Sequence, residues 1–164
     1  MKLYTKQGDG GASSLIGRAD VPKSDPVFEL LGTLDECGAC LGVALLEVGD
    51  TQAKQDLSML QELLILLGGQ AAGAAKRPLG AQLAQIEARI DACQMEAGGF
   101  SQFCNGYSSR AAAYVNLART VMRRAERNAV RAGLSGDCLA ALNRASDLLY
   151  ALTVWLQLHE EGGK

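Results

Sequence analysis

Leu117-Ala118-Arg119-Thr120-Val121-Met122-Arg123-Arg124-Ala125-Glu126-Arg127 is the stretch whose periodicity decides the fold. At about 100° per residue, Ala118, Val121, Met122, Ala125 and Ala129 fall on one side of a helix. Arg119, Arg123, Glu126 and Arg127 share a stripe on the other. Such a stripe suits a solvated face laced by weak ion pairs, and it suits a phosphate site equally, because guanidinium forks bind phosphate bidentately.

Working outward, this helix starts at Ser108 or Ser109 and stops at Gly133. The next starts at Ser135 or Asp137 and ends near Gly162-Gly163. On that last helix Asn143, Asp147 and Tyr150 lie together, opposite Leu142, Leu149, Leu152 and Leu156. Upstream, Ser24 or Asp25 caps a first helix with Pro26 in its first turn; Val27, Leu30, Leu34, Leu41 and Leu45 recur at helical spacing and Gly49 marks the end. Asp50 or Thr51 caps a second helix with a stripe of Leu57, Leu60, Leu64, Leu67 and Ala71, in which Gly68-Gly69 marks a bend or a close helix crossing. Pro78 opens a third, with Leu83, Ile86, Ile90 and Cys93 inward and Gly98-Gly99 as its stop. Five amphipathic helices with mostly short connections and no strand pattern predict an all-α, up-and-down bundle in one domain over 1–164.

Composition agrees with this reading. The 164 residues are 48% hydrophobic, 21% charged and only 5% aromatic, so the core is built from Leu and Ala. A domain of this length buries roughly 70% of the surface of its unfolded chain and needs no disulfide or metal staple. A net charge of −2 gives no basic field for nucleic acid. No apolar run has signal-peptide or membrane-span length, which makes the cytoplasm the expected location. The cysteines Cys37, Cys40, Cys93, Cys104 and Cys138 are odd in number and scattered; Cys37 and Cys40 form a CxxC inside a helical pattern and read as packing thiols. His159 is the only histidine, which leaves little for histidine-dependent metal or triad chemistry.

Two segments fall outside the helical pattern: the loop from Gly98 to Tyr107 and the Gly/Ser-rich residues 1–23, expected to be a loop. Gly8-Asp9-Gly10-Gly11 is either a flexible turn or a nest of backbone N–H groups for an anion, with Ser13 and Lys23 adding donors. No Gly-Lys-Ser/Thr closes it and no strand precedes it, so it is not a Walker loop. Asp35 stands among Phe28, Gly32, Ala39 and Gly42, where small residues let another backbone approach and a carboxylate needs a partner.

Four separated blocks carry a resemblance. They are Tyr4-Thr5-Lys6-Gln7-Gly8-Asp9-x-Gly11; Val21-Pro22-Lys23-x-Asp25-Pro26 running on to Gly32-Thr33-Leu34-Asp35-Glu36; Leu117 to Arg127; and Asn143-Arg144-x-Ser146-Asp147-Leu148-Leu149. In order and spacing the chain resembles the PduO-type ATP:cob(I)alamin adenosyltransferases from Tyr4 to about Tyr150. The resemblance implies a homotrimer of five-helix bundles with ATP and the corrinoid at subunit interfaces. Residues 1–23 would form the nucleotide loop and 24–161 the bundle. It further implies transfer of the 5'-deoxyadenosyl group of ATP to cobalt(I) of cobalamin, with triphosphate leaving and the product passing to an adenosylcobalamin-dependent enzyme.

By the same resemblance, Thr5, Gly8, Asp9, Gly11, Ser13 and Lys23 wrap the triphosphate. Arg123, Glu126, Arg127 and Asn143 hold ATP and its Mg2+, with Glu126 the candidate ligand. Arg119 pairs with Asp35 of a neighbouring subunit, and Phe103 closes the lower face of the corrinoid. The chain departs from the family pattern at Lys6, Gly10, Ala12 and Gly38, where Arg, Lys, Thr and Asn are usual, and at Gly106-Tyr107-Ser108, where Pro-Gly-Gly is usual. Every helix-borne charge is kept. A carrier or sensor of the same fold that binds ATP or adenosylcobalamin without catalysis is the alternative. A purely structural trimer is disfavoured, because it needs only its Leu and Ala faces.

Overall fold

The computed structural model describes residues 4, 6, 8–99, 107 and 109–159. Among these are a two-stranded hairpin, β1 (Ala12–Leu15) and β2 (Arg18–Pro22), and five helices: α1 (Pro26–Glu47), α2 (Thr51–Ala71), α3 (Gly80–Glu96), α4 (Arg110–Arg131) and α5 (Asp137–His159). No described helix is long and apolar enough to cross a membrane.

Capping chemistry sets the helix starts. Asp25 accepts from the Val27 amide at 3.0 Å with Pro26 inside the first turn, and Asp50 accepts from Ala53 at 2.8 Å. Ser109 accepts from Ala112 at 3.3 Å. Pro78 does not open α3, which begins at Gly80 with no side-chain cap at Leu79. The helix α2 runs unbroken through Gly68-Gly69. A Cβ on Gly68 would lie 3.8 Å from Leu31 and Leu34, so the pair marks a close crossing with α1 rather than a bend.

Polar ties between helices fix their directions. Glu47 with Arg110, Glu36 with Arg124 and Thr33 with Asn128 run α1 and α4 antiparallel. Glu87 with Arg144 and Glu96 with Trp155 run α3 and α5 parallel. The helices therefore alternate up and down, but α3 packs on α5 instead of on its successor α4. Buried leucines Leu30, Leu41, Leu57, Leu60, Leu67, Leu142, Leu149 and Leu152 fill the centre, and Ala118, Ala125 and Ala129 of α4 are fully buried between α1 and α5. Each such leucine stabilises the bundle by about 1.5–3 kcal/mol.

One buried ion pair joins α2 to α3: Asp56, 2% exposed, accepts from Arg89 Nε with both oxygens at 2.9 and 3.0 Å. Gln52 donates to the same carboxylate at 3.2 Å. The Arg89–Asp56 hydrogen bond raises the Arg89 pKa above its ordinary value.

The hairpin corrects the expectation that residues 1–23 form a loop with no strand. Ser13 pairs with Val21 and Leu15 with Arg18, with a bulge between Ser13 and Leu15, around a two-residue turn of Ile16 and Gly17 in which Gly17 has φ +74°. Val21 is the one buried hairpin residue. With neither strand burying a face, the sequence has no period-two alternation to read.

Candidate functional site

α4 presents its stripe as the periodicity requires. Ala118, Val121, Met122, Ala125 and Ala129 are buried, Arg119 and Glu126 are half-buried, and Arg123 and Arg127 are exposed. The cations of the stripe are less tied to carboxylates than several others, a state they share with Arg77 and Arg131, which also enter no ion pair among the described residues. Arg18, Arg89, Arg110, Arg124 and Arg144 are each held by a carboxylate of another turn or another helix. Arg123 reaches only Glu126, at 4.0 Å, and among the described residues Arg127 and Arg119 enter no ion pair. Arg119 Nε donates instead to Asn116 Oδ1 at 2.7 Å. Uncommitted guanidinium groups on a rigid helix form a surface pre-arranged for a polyanion.

Residues of α5 hold the acidic member of the stripe in place. Asn143 Nδ2 donates to Glu126 Oε1 at 3.0 Å, and Arg144 Nη1 donates to Asn143 Oδ1 at 2.8 Å. With its oxygen accepting from Arg144, the Asn143 amide turns its NH2 toward Glu126. Arg144 is itself held by Glu87 at 3.1 Å and Asp147 at 3.5 Å. Sequence reading missed this supporting role of Arg144 and Glu87, although Arg144 and Asp147 stand three apart on α5, within reach on one helix face. It also missed Asn128, 2% exposed, which follows Arg127 directly, donates to Thr33 at 2.9 Å and ties α4 to α1.

The glycine-rich segment is a second cluster. Lys23 Nζ donates to the Gly8 carbonyl at 2.7 Å and the Lys23 amide donates to Gly11 O at 2.9 Å, so Lys23 folds the segment back on itself. The amides of Asp9 and Gly11 donate to Lys6 O and Gly8 O at 3.3 Å, long bonds that a better acceptor can displace. Gly11, at φ +81°, needs its missing side chain for this turn. Ser13 is the second paired residue of β1, opposite Val21. Thr5 and Phe103 lie outside the described residues.

No hydrogen bond or ion pair among the described residues joins residues 8–23 to α4 or α5. Among the described residues the two clusters are thus not bonded to each other. Asp35 is likewise not joined to Arg119 within the chain: it is exposed and lines a groove of ≈ 530 Å³ between α1 and α2, with Leu31, Leu64, Ile65 and Gly68 as apolar wall.

Cys37 is buried, with its thiol 3.6 Å from the Ala118 carbonyl, and burial pushes its pKa up to about 12. Burial, then the Glu36 charge, also raises Cys40. Both shifts disfavour the thiolate that redox or metal chemistry needs, in keeping with packing thiols.

The sequence model of the family described as cobalamin adenosyltransferase matches residues 3–156. The chain belongs to that family. A corrinoid adenosyltransferase of Bacillus subtilis is 35% identical over 164 residues, spanning 92% of this chain and 84% of the relative. One of Citrobacter freundii is 30% identical and spans 92% of each. A solved structure of a variant PduO-type ATP:corrinoid adenosyltransferase from Lactobacillus reuteri, complexed with cobalamin and ATP, is 26% identical. It matches at a TM-score of 0.90 over 97% of this chain and 95% of that one. The α4 stripe and the glycine-rich segment both fall inside the matched span.

Proposed function

We infer that this chain is an ATP:corrinoid adenosyltransferase, which moves the 5'-deoxyadenosyl group of ATP onto cobalt(I) of a corrinoid and releases triphosphate. The observation that carries the reading to these residues is the pair of exposed guanidinium groups, Arg127 in no ion pair among the described residues and Arg123 held only at 4.0 Å by Glu126, beside a Glu126 that Asn143 orients. In the reaction the cobalt(I) electron pair forms the bond to C5', cobalt becoming cobalt(III), while the C5'–O bond breaks and its electrons leave with triphosphate. No proton is abstracted, so the protein needs positioning, dryness and charge neutralisation instead of a general base.

Arg123 and Arg127 neutralise the triphosphate, Asn143 and Glu126 fix its orientation, and Gly8, Asp9, Gly11, Ser13 and Lys23 close over it, with Thr5 in the same segment. Mg2+ fits this arrangement as an ion brought by the nucleotide. The described residues contain no cluster of three or more ligating side chains, and Mg2+ ordinarily takes one or two carboxylates beside phosphate oxygens, here Glu126. Bound there, it supplies charge neutralisation of the phosphates. Phe103 is assigned to the lower face of the corrinoid, where an apolar ring keeps water and an axial base from cobalt.

The separation of the two clusters supports a shared site. Residues 1–23 of one copy act with the bundle, 24–161, of the next, in a cytoplasmic homotrimer whose product passes to an adenosylcobalamin-dependent enzyme. Asp35, in a groove with no cation among the described residues that line it, pairs with Arg119 of the neighbour. The test is anaerobic incubation with reduced cobalamin, Mg2+ and ATP. The spectrum of adenosylcobalamin should develop; binding of ATP with no product would replace this reading with that of a carrier.

A further inference from the structure

Three helices end the same way, and one of the three ends touches the hairpin. At the end of α2, Gly73 N–H donates to Gln70 O at 3.1 Å and Ala74 N–H to Gly69 O at 2.9 Å, with Gly73 at φ +102°. At the end of α4, Gly133 N–H donates to Val130 O at 3.1 Å and Leu134 N–H to Ala129 O at 2.9 Å, with Gly133 at φ +80°. Gly98 at φ +70° closes α3 with the same two bonds, to Met95 and Gln94. All are the left-handed termination that leaves the cap carbonyl unused. A Cβ built on Gly133 or Gly98 meets nothing within 4 Å. On Gly73 it would lie 2.6 Å from the Ile16 carbonyl oxygen and 3.3 Å from Ile16 Cβ.

The unused carbonyl of the α2 cap, Ala72, is what Ile16 N–H binds, at 2.9 Å. Among the described residues this is the one hydrogen bond tying the hairpin to any helix other than α1. Ile16 occupies the turn between β1 and β2. The strands lead from there back to Gly11, whose carbonyl accepts from Lys23, and to Gly8. The position of the glycine-rich segment is therefore set from both ends: by the start of α1 on one side and by the end of α2 on the other.

We propose that Gly73 is a positioning residue for the nucleotide: its bare Cα is the seat on which the hairpin turn rests, and through β1 and Lys23 that seat places the Gly8–Gly11 segment against the triphosphate. The inference rests on reading that segment as the nucleotide loop. A methyl group at Gly73 forces the turn back from 2.6 Å to ordinary contact, a retreat of the order of 1 Å. Misplacement of about this size costs on the order of a hundredfold at most when it reaches a site. Because the segment grips the triphosphate in ground state and transition state alike, the loss falls on KM for ATP and not on kcat.

Gly73→Ala and Gly133→Ala both place a side chain at positive φ, +102° and +80°, and only the first collides with the hairpin. Gly73→Ala should raise KM for ATP by roughly tenfold or more with kcat nearly unchanged, and should speed amide exchange at Ile16. Gly133→Ala should lower Tm comparably and leave KM alone. Ile16→Pro gives a second route if Gly73→Ala does not fold. It removes the donor, and proline suits the first central position of a turn whose second residue is Gly17 at φ +74°. It should raise KM severalfold. Wild-type KM in both Gly73→Ala and Ile16→Pro, with Lys23→Ala raising it, overturns the seat while sparing the nucleotide loop. Wild-type KM in Lys23→Ala as well overturns both.

Discussion

Residues 8–23 hold their shape through a few bonds along an exposed hairpin, and the α4–α5 face holds its shape through a chain of ties backed by a packed core. In the hairpin, Lys23 to Gly8, Lys23 to Gly11 and Ile16 to Ala72 are the main fasteners, and Val21 alone is buried. Behind the stripe, Met122, Ala125, Ala129, Leu142 and Leu149 are fully buried, and Glu87, Arg144, Asn143 and Glu126 are linked in sequence across three helices. The first region can yield to an incoming nucleotide at small cost; the second cannot move without unpacking leucines at about 2–5 kcal/mol each. A site assembled from both has one fixed wall and one adjustable strap, and the two walls need not come from one chain.

The strongest way to break this comparison is to test whether the halves belong to different copies. A desolvated Asp35–Arg119 pair across copies loses about 3–5 kcal/mol when one partner is removed, against less than about 1 kcal/mol for an exposed pair. Asp35→Ala and Arg119→Ala should each be nearly inactive and shifted from trimer in sedimentation, with the double variant losing less than the sum. Mixing the two inactive variants should restore activity, because some interfaces in mixed trimers carry neither defect. Absence of recovery, with subunit exchange shown, would place the pair within one chain or nowhere.

Next in size is the contrast between adjacent arginines. Arg123→Ala should cut kcat/KM for ATP by roughly ten- to a hundredfold, the equivalent of about 1.5–3 kcal/mol for a charge-assisted fork to phosphate, with little change in Tm. Arg124 is spent on Glu36, half-exposed on both sides, so Arg124→Ala should cost under about 1 kcal/mol of stability and leave ATP kinetics intact. Equal kinetic losses at the two positions would show that the stripe has been assigned to the wrong side of α4.

The smallest effect sharpens the picture of the core behind the fixed wall. Burial raises the Cys37 thiol from an ordinary 9.0 to about 12, so the neutral thiol is favoured in the fold. The stability this contributes is fully present below about pH 9 and is lost as pH rises toward 12. At pH 8, iodoacetamide should label the half-buried Cys40 well before Cys37, and activity should survive Cys37→Ser far better than Arg123→Ala. Rapid labelling of Cys37 in the native protein would mean that the α1–α4 contact opens.

Much of this was legible beforehand, and the reason differs by region. Period and capping are local properties, so Asp25, Asp50 and Ser109 announce their helices and Ala118 to Ala129 announce a buried face. The hairpin was not legible. Its strands bury almost nothing of their own, and they form by leaning on a carbonyl at the end of α2, more than fifty residues away in sequence (Ile16 to Ala72). The partners of the charges were not legible either. Periodicity sets Arg124 apart from the stripe of Arg119, Arg123 and Arg127, but only the packing of α1 against α4 decides that Glu36 takes it, while Arg123 keeps just a 4.0 Å contact to Glu126. In the same way Gly73, Gly98 and Gly133 are the same chemical group in the same local conformation. Which of them has a neighbour where a Cβ would stand is settled by distant chain returning to that end of the bundle, a matter of excluded volume that no local pattern encodes.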